Sequence, residues 1–483
     1  MTVALAVRTL GAGSFLLALA VAGNLSGCAA GPDYVRPASG MPASWSSDST
    51  WKVARPEDAA VRDGWWKVFG EARLDALEDE AIARNPGLAQ VVERLAQARA
   101  QATIAASTLF PGVTAGVGAA RDKISANRPV AIYGFRNSSV VQNDFTAGFS
   151  VHYELDLFGA QRRQLEAARA GVGQADALLA NARLVLTAEL AADYFTLRAL
   201  DTEIDVVERN IAAQRKALEF VTSRHDMGVA SGLDLAQQKS QLDTTITQVD
   251  LLRVQRDQFE HAIASLVGEP APSFRLAPAP GLAAPPAIPA GVPSDLLQRR
   301  PDIAAAERAM AAANAQIGVA KAAWFPSVSL AAAGGDESNV LATLFKTGSG
   351  VWSLGASASE ILFDAGRRGA TVDIARSGYR AAVDDYRATV LRAMQEVEDG
   401  MTGLASLERA AAEADASVAS AQRVVDLAND RYNGGLANYL DVITAQQALL
   451  ANQRLSAQIN GQRMLSAVYL VKALGGGWDA SGS

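Results

Sequence analysis

FTAGFSVHYELDLFG, residues 145–159, alternates in chemistry along its whole length. Phe145, Ala147, Phe149, Val151, Tyr153, Leu155 and Leu157 fall on one face, and Thr146, Gly148, Ser150, His152, Glu154 and Asp156 on the other. Successive strand side chains point to opposite sides, so this spacing predicts a strand with one apolar and one polar surface. In a soluble sandwich the apolar face would meet a second sheet. In a membrane barrel it would meet lipid while the polar face lines water. Alternation alone is compatible with both. VTAGVGAA (113–120), SVSLAAAG (327–334) and VWSLGASASEILF (351–363) are further segments of this kind.

Two long helical stretches, one after each pair of strands, tilt the choice. From Ala160 to about Asp226, and from Arg367 to about Asn433, the chain runs without proline and with apolar positions at helical spacing. At about 1.5 Å per residue each helix would reach roughly 95 Å, beyond the diameter of a globular domain, so both belong to a tube or coiled bundle. Each run stops at a glycine turn, Gly228-Val229-Ala230-Ser231-Gly232 or Gly434-Gly435-Leu436-Ala437-Asn438, and resumes to about Val267 or Leu474. Glycine is the usual left-handed helix stop, so each half holds an antiparallel helical hairpin.

The two halves carry the same signals in the same order, offset by slightly more than about two hundred residues. Asn85-Pro86 opens a helix to about Thr108, and Arg300-Pro301 opens another to about Ala323. Each stops at Phe-Pro, Phe110-Pro111 or Phe325-Pro326, where proline lacks the N–H a continuing helix needs. Residues 270–293 hold eight of the seventeen prolines and read as an extended linker. The expected organisation is a signal peptide (1–27), an acylated extended segment (28–70), a first repeat (71–269), the linker (270–293), a second repeat (294–475) and a short tail (476–483).

At 483 residues and 49% hydrophobic, the chain has material for a large buried surface, which excludes general disorder. Aromatics are only 6% and alanine dominates, which suits close helix packing. Net charge is −7 with Lys and Arg scattered singly, so no basic stripe could neutralise a row of phosphates. Three histidines and one cysteine leave little for a metal cluster or a Cys-His pair. There is no nucleophile elbow and no phosphate-cradling loop. Asp384-Asp385 and Glu396-Glu398-Asp399 read as solvated helix faces. The expectation is therefore conduction and docking, with no catalysis and no cofactor.

Arg8 precedes LGAGSFLLALAVAG, an apolar run too short for a comfortable span and laid out like a secretory signal. Leu25-Ser26-Gly27-Cys28 comes next, and the sole cysteine stands where bacterial lipoprotein signals place the acylated one. Acyl chains at Cys28 would add apolar area to a membrane anchor. Ala29, rather than aspartate, resembles the sorting signal for the outer membrane. No later run of about eighteen apolar residues exists, so any crossing beyond the lipid falls to strands. Four strands cannot close a barrel alone, and open edges in hydrocarbon would leave N–H and C=O groups unpaired. A cyclic trimer would remove the edges.

IPAGVPSDLLQRRPDIAAAE (288–307) with the Phe325-Pro326 break, WWKVFGEARLDAL (65–77), YELDLFG (153–159) and RYNGGLANYLDV (431–442) together resemble the TolC-like outer membrane factor family, in its lipid-anchored branch, from Cys28 to about Gly475. The resemblance implies a homotrimer in which each subunit gives four β-strands to one twelve-stranded outer-membrane β-barrel, continued by a long periplasmic α-helical barrel. It also implies a periplasmic adaptor and an inner-membrane RND-type pump as partners, and drugs or similar small molecules as cargo. A periplasmic adaptor lipoprotein is the alternative; it would carry one hairpin flanked by compact lipoyl-like domains. The loops at about 121–143 and 335–349 would face outside.

In the family the glycine turns lie at the periplasmic tip where the helical hairpins converge, so the resemblance makes the residues there candidates for a gate. Tyr432, Gly435, Leu440 and Asp441 match that tip motif, and Asp234 is the first-half counterpart of Asp441. Threefold repetition would turn each into a ring, and a carboxylate ring favours cations. Alternatively Asp234 and Asp441 sit in the first turn of the returning helices, where negative charge offsets the dipole. Some relatives carry a second aspartate one turn later where this chain has Thr444, so Leu440 is a candidate for an apolar constriction.

Overall fold

The computed structural model describes residues 29–35, 64–127, 138–288 and 299–476. The expected signal peptide (1–27) and the acylation candidate Cys28 lie outside the described residues. After a short 3₁₀ turn at Trp65–Phe69 come α1 (Ala72–Arg84), α2 (Pro86–Ser107), β1 (Gly112–Ile124), β2 (Val140–Leu155), α3 (Ala160–Asp226) and α4 (Gly232–Leu266). The second half repeats the order with α5 (Pro301–Ala322), β3 (Ser327–Ser338), β4 (Gly350–Ser359), α6 (Arg367–Asn433) and α7 (Tyr439–Ala473). Among the described residues, no helix is long and apolar enough to cross a membrane.

The described residues fall into two compact units. One is drawn from Met1–Pro37, Ala96–Gln174 and Glu307–Asp385 and contains the strands. They form one antiparallel sheet in the order β1-β2-β3-β4. Pairing runs unbroken from Gly112 opposite His152 to Ile124 opposite Val140, and equally along β2/β3 and β3/β4, so no bulge shifts a side chain to the wrong face. Val113, Val117, Phe149, Leu330, Trp352 and Leu354 share one face and are exposed, Val117 at 89% and Trp352 at 79%. On the opposite face Thr114 Oγ1 meets Ser150 Oγ at 2.7 Å and Ser329 Oγ meets Ser357 Oγ at 2.8 Å. Among the described residues no second sheet covers the apolar face. An uncovered apolar face is what a barrel wall presents and a sandwich does not.

Both strand-to-helix junctions turn on an aspartate. Asp156 accepts from Gln161 N, Arg162 N and Arg162 Nε at 3.0, 2.9 and 3.1 Å. Asp364 accepts from Gly366 N, Arg368 N and Arg368 Nε at 3.1, 3.1 and 2.8 Å. A carboxylate there satisfies donors that a helix start leaves unpaired. Hence β2 ends at Leu155, before Leu157, and β4 ends before Ile361, whatever the alternation continues to suggest. At their other ends the strands outrun the apolar alternation, because ladder hydrogen bonds do not require apolar side chains. Residues 29–35 are stapled to this unit: Ala30 N donates to Phe158 O at 2.9 Å, Asn314 Nδ2 to Pro32 O at 3.0 Å, and Arg163 pairs with Asp33 at 2.7 Å.

The other unit is drawn from Ala38–Leu95, Ala175–Ala306 and Tyr386–Ser483 and holds both hairpins. Its repeat symmetry extends to single atoms. Before Pro86, Asn85 Nδ2 donates to Leu266 O at 2.9 Å; before Pro301, Arg300 Nη1 donates to Ala473 O at 2.9 Å. Gly268 and Gly475 close the returning helices at φ +76° and +92°, and a Cβ on either would lie 2.7 Å from the Arg84 or Arg299 carbonyl oxygen. No other residue fits both the angle and the space. The described part of the linker is clamped rather than free. Arg256 bonds Asp201 Oδ1, Glu260 Oε2 and Leu276 O at 2.6, 2.8 and 2.6 Å, and Arg198 bonds Asp201 Oδ2 and Ala277 O, both at 2.8 Å.

Candidate functional site: the two hairpin tips

Both tips are the same backbone device. Val229 N donates to Arg224 O at 2.8 Å and Gly228 N to His225 O at 2.8 Å; in the second tip Leu436 N donates to Arg431 O at 2.8 Å and Gly435 N to Tyr432 O at 3.1 Å. The left-handed residue is Gly228 (φ +76°) or Gly435 (φ +70°). This pair of bonds caps a helix C-terminus and reverses the chain. The candidate Gly435 is thus the turn residue of the second tip.

The returning helices start differently. Ser231 and Asp234 form a reciprocal capping box, with Asp234 N donating to Ser231 Oγ and Ser231 N to Asp234 Oδ2, both at 3.2 Å. In the second tip Asn438 caps alone, accepting from Asp441 N at 3.0 Å. Asp234 is therefore occupied and half-buried, whereas the Asp441 carboxylate stands exposed next to Leu440, also exposed. Thr444 turns its hydroxyl to Leu440 O at 2.8 Å and presents no charge.

Tyr432 does not project from the tip. It is 8% exposed and packs with Tyr439, Val221, Ala230, Val442 and Ile443. Its ring lies 4.9 Å from that of Tyr439, and the Arg224 guanidinium sits 4.9 Å over Tyr432 and 5.6 Å over Phe220. Tyr439 donates to Gln238 Oε1 at 2.8 Å, and Gln238 Nε2 donates to Gln214 O at 3.0 Å. Burial first, then the neighbouring Tyr432 and Asp234, pushes the Tyr439 phenol well above its ordinary range; burial and Asp234 raise Tyr432 too. Both phenols stay neutral donors at physiological pH. Arg224, Gln238 and Tyr439 were not singled out from the sequence. The signal that could have found Gln238 and Tyr439 was a mismatch between repeats, since Tyr439 occupies the place of Gly232 and Ala445 that of Gln238; Arg224 has an arginine, Arg431, at its counterpart and gives no such signal.

Further from the tips, polar pairs join the hairpins. Gln447 donates to Gln241, Asn210 Nδ2 to Gln453 Oε1 at 2.8 Å, and Arg454 Nη2 pairs with buried Glu203 at 2.7 Å. Among the described residues no group of three or more His, Cys, Asp or Glu could hold a metal ion.

A doubled sheet-and-hairpin unit with uncovered sheet faces narrows the choice of family, and sequence comparison decides it. The profile of the outer membrane efflux protein family matches residues 77–269 and again 292–476. The chain belongs to that family. Relatives of this outer membrane efflux protein include the pyoverdine export outer membrane protein OpmQ of Pseudomonas aeruginosa, 32% identical over 90% of this chain and 92% of that one. Another is the toluene efflux pump outer membrane protein TtgF of Pseudomonas putida, 33% identical over 96% and 97%. Among solved structures, the outer-membrane channel OprN superposes with a TM-score of 0.86 at 29% identity, covering 93% of this chain and all of that one. The open state of the Neisseria gonorrhoeae MtrE outer membrane channel gives 0.80 at 28%, covering 93% and 98%.

Proposed function

We propose that this outer membrane efflux channel works as a homotrimer, the exit duct of a tripartite system whose other parts are a periplasmic adaptor and an inner-membrane RND-type pump. The observation that carries this reading is the four-stranded sheet with an apolar face, a hydroxyl-rich face and two unpaired edges, β1 and β4. Three copies joined β4 to β1 give a twelve-stranded closed wall with no open edge in hydrocarbon. The apolar face then meets lipid and the Thr114, Ser150, Ser329 and Ser357 face lines water. Each repeat supplies a hairpin, so a trimer has six tips of two kinds, three of which expose Leu440 and Asp441.

The chain performs no chemistry on its cargo in this reading; it needs no cofactor, and the pump supplies the work. An adaptor would not need a sheet uncovered on both faces. Acylation at Cys28 anchors the amino terminus, and the stapling of residues 29–35 to Phe158, Arg163 and Asn314 would hold that anchor beside the start of α3. Heat-modifiable trimer bands from purified outer membranes, together with single-channel recording in planar bilayers, test the duct. Migration as a heat-insensitive monomer with no conductance in any tip variant would sink it. Mass spectrometry of the mature amino terminus tests the acyl group.

A further inference from the structure

Charge on the sheet is sorted by face. Because the pairing has no bulge, parity assigns each strand residue to a side. Asp122, Asp144, Glu154 and Glu337 lie on the hydroxyl-rich face with Thr114 and Ser150. Arg121 and Lys123, both exposed, lie on the opposite face, in line with Val113, Ala115, Val117 and Ala119. The one carboxylate of the described strands on that outer face is Asp336, beside Phe345 in a small cavity above Ala147 and Val117. Neither Arg121 nor Lys123 pairs with a carboxylate of the described residues.

Position along the strand gives the cations a level. From Val113, strand rise of about 3.3 Å per residue and a barrel tilt of about 40° put Arg121 roughly 20 Å and Lys123 roughly 25 Å up the membrane normal. An outward apolar band is about 25 Å tall. The two cations therefore sit where acyl chains give way to headgroups, at the end of the sheet remote from the helices. Cations facing hydrocarbon are costly, whereas long basic side chains at its edge reach out to the polar layer. Four of the five carboxylates of the described strands turn to water and both cations turn to lipid, a bias that matches an anionic headgroup layer rather than a general need for solubility.

We propose that Arg121 and Lys123 form a binding surface for the phosphate groups of an outer-leaflet glycolipid, seated against the apolar face of β1. This rests on the barrel reading above, and the test separates the two. The full-length protein is reconstituted in nanodiscs of phosphatidylcholine, and binding of diphosphoryl lipid A, dephosphorylated lipid A and phosphatidylglycerol is titrated by native mass spectrometry. The wild type binds diphosphoryl lipid A preferentially. From about 1 kcal/mol per cation near an anionic surface, R121S and K123S each weaken binding roughly fivefold and R121S/K123S roughly thirtyfold, while R121K/K123R retains it. Equal binding of the dephosphorylated lipid or of phosphatidylglycerol, or undiminished binding by R121S/K123S, overturns the proposal. So does a loss shared by R121K/K123R, which keeps both charges. Failure of the wild type to enter the bilayer at all would instead overturn the barrel reading.

Discussion

The first and second hairpins close at their base with matching atoms and diverge at their tips. Gly268 and Gly475 press against the carbonyl oxygens of Arg84 and Arg299 in the same way. At the tips the turn is again shared, but the first commits Ser231 and Asp234 to a reciprocal cap and places Gly232 where the second places Tyr439. Tyr432 and Tyr439 then reach into the first hairpin through Arg224 and Gln238. A duplicated unit has thus kept its closure, where backbone geometry permits one residue, and varied its tips, where side chains decide what touches what. One tip is stapled to itself; the other is held by its neighbour and leaves Leu440 and Asp441 free.

The equivalence of the closures is the easiest to break. Gly268→Val and Gly475→Val should each abolish the folded protein in the outer membrane, since each adds a left-handed strain of about 1–3 kcal/mol to a backbone clash. Immunoblots of membrane fractions check this, and a well-tolerated valine at one site alone would end the equivalence. Next, Tyr439→Ala empties a buried aromatic site and should cost about 3–5 kcal/mol, with raised conductance in planar bilayers. Gly232→Ala, at the counterpart position, should leave conductance unchanged.

Glu78, which only the first repeat has because the position equally far before Pro301 is Pro293, is fully buried with neither carboxyl oxygen hydrogen-bonded. Burial first, then Asp75 and Asp79, pushes its carboxyl from 4.5 up to about 10. Between those values the folded state holds a proton that the unfolded chain has released, so stability falls as pH rises. Glu78→Gln should therefore raise the melting temperature at pH 7.5, by an amount corresponding to about 1–3 kcal/mol, and the gain should vanish near pH 4. A gain that is the same at both pH values would contradict a neutral Glu78.

The smallest effects separate the two tip aspartates. Asp234→Ala loses a cap and should cost about 1 kcal/mol without altering conductance. Asp441→Ala combined with Leu440→Ala touches exposed side chains, so stability should stay within about 0.5 kcal/mol while single-channel current rises. Unchanged current in the Asp441/Leu440 double variant would remove the second tip from the gate.

Much of the fold was legible because period and punctuation are local properties. The apolar alternation at 145–159, the proline-free runs after Ala160 and Arg367 and the glycine stops correspond to β2, α3, α6 and the two turns. Strand ends were less legible, since the carboxylates of Asp156 and Asp364 end them through bonds to residues further along the chain. The tip was half legible. Gly435, Leu440 and Asp441 are where a turn and a first helical turn must put them.

Whether Tyr432 faces solvent or a neighbouring helix was not readable, because helical periodicity assigns a face and not the partner that covers it. By itself the sequence determined the two repeats, their element types and the amphipathic character of the strands, since these arise from residue spacing and backbone sterics. Only the tertiary structure decided that no second sheet covers the strands among the described residues, that Arg224 lies over Tyr432, and that an unbroken register turns Arg121 and Lys123 to the apolar face. Those outcomes depend on which distant segments meet, and contact between segments far apart in the chain leaves no period to read.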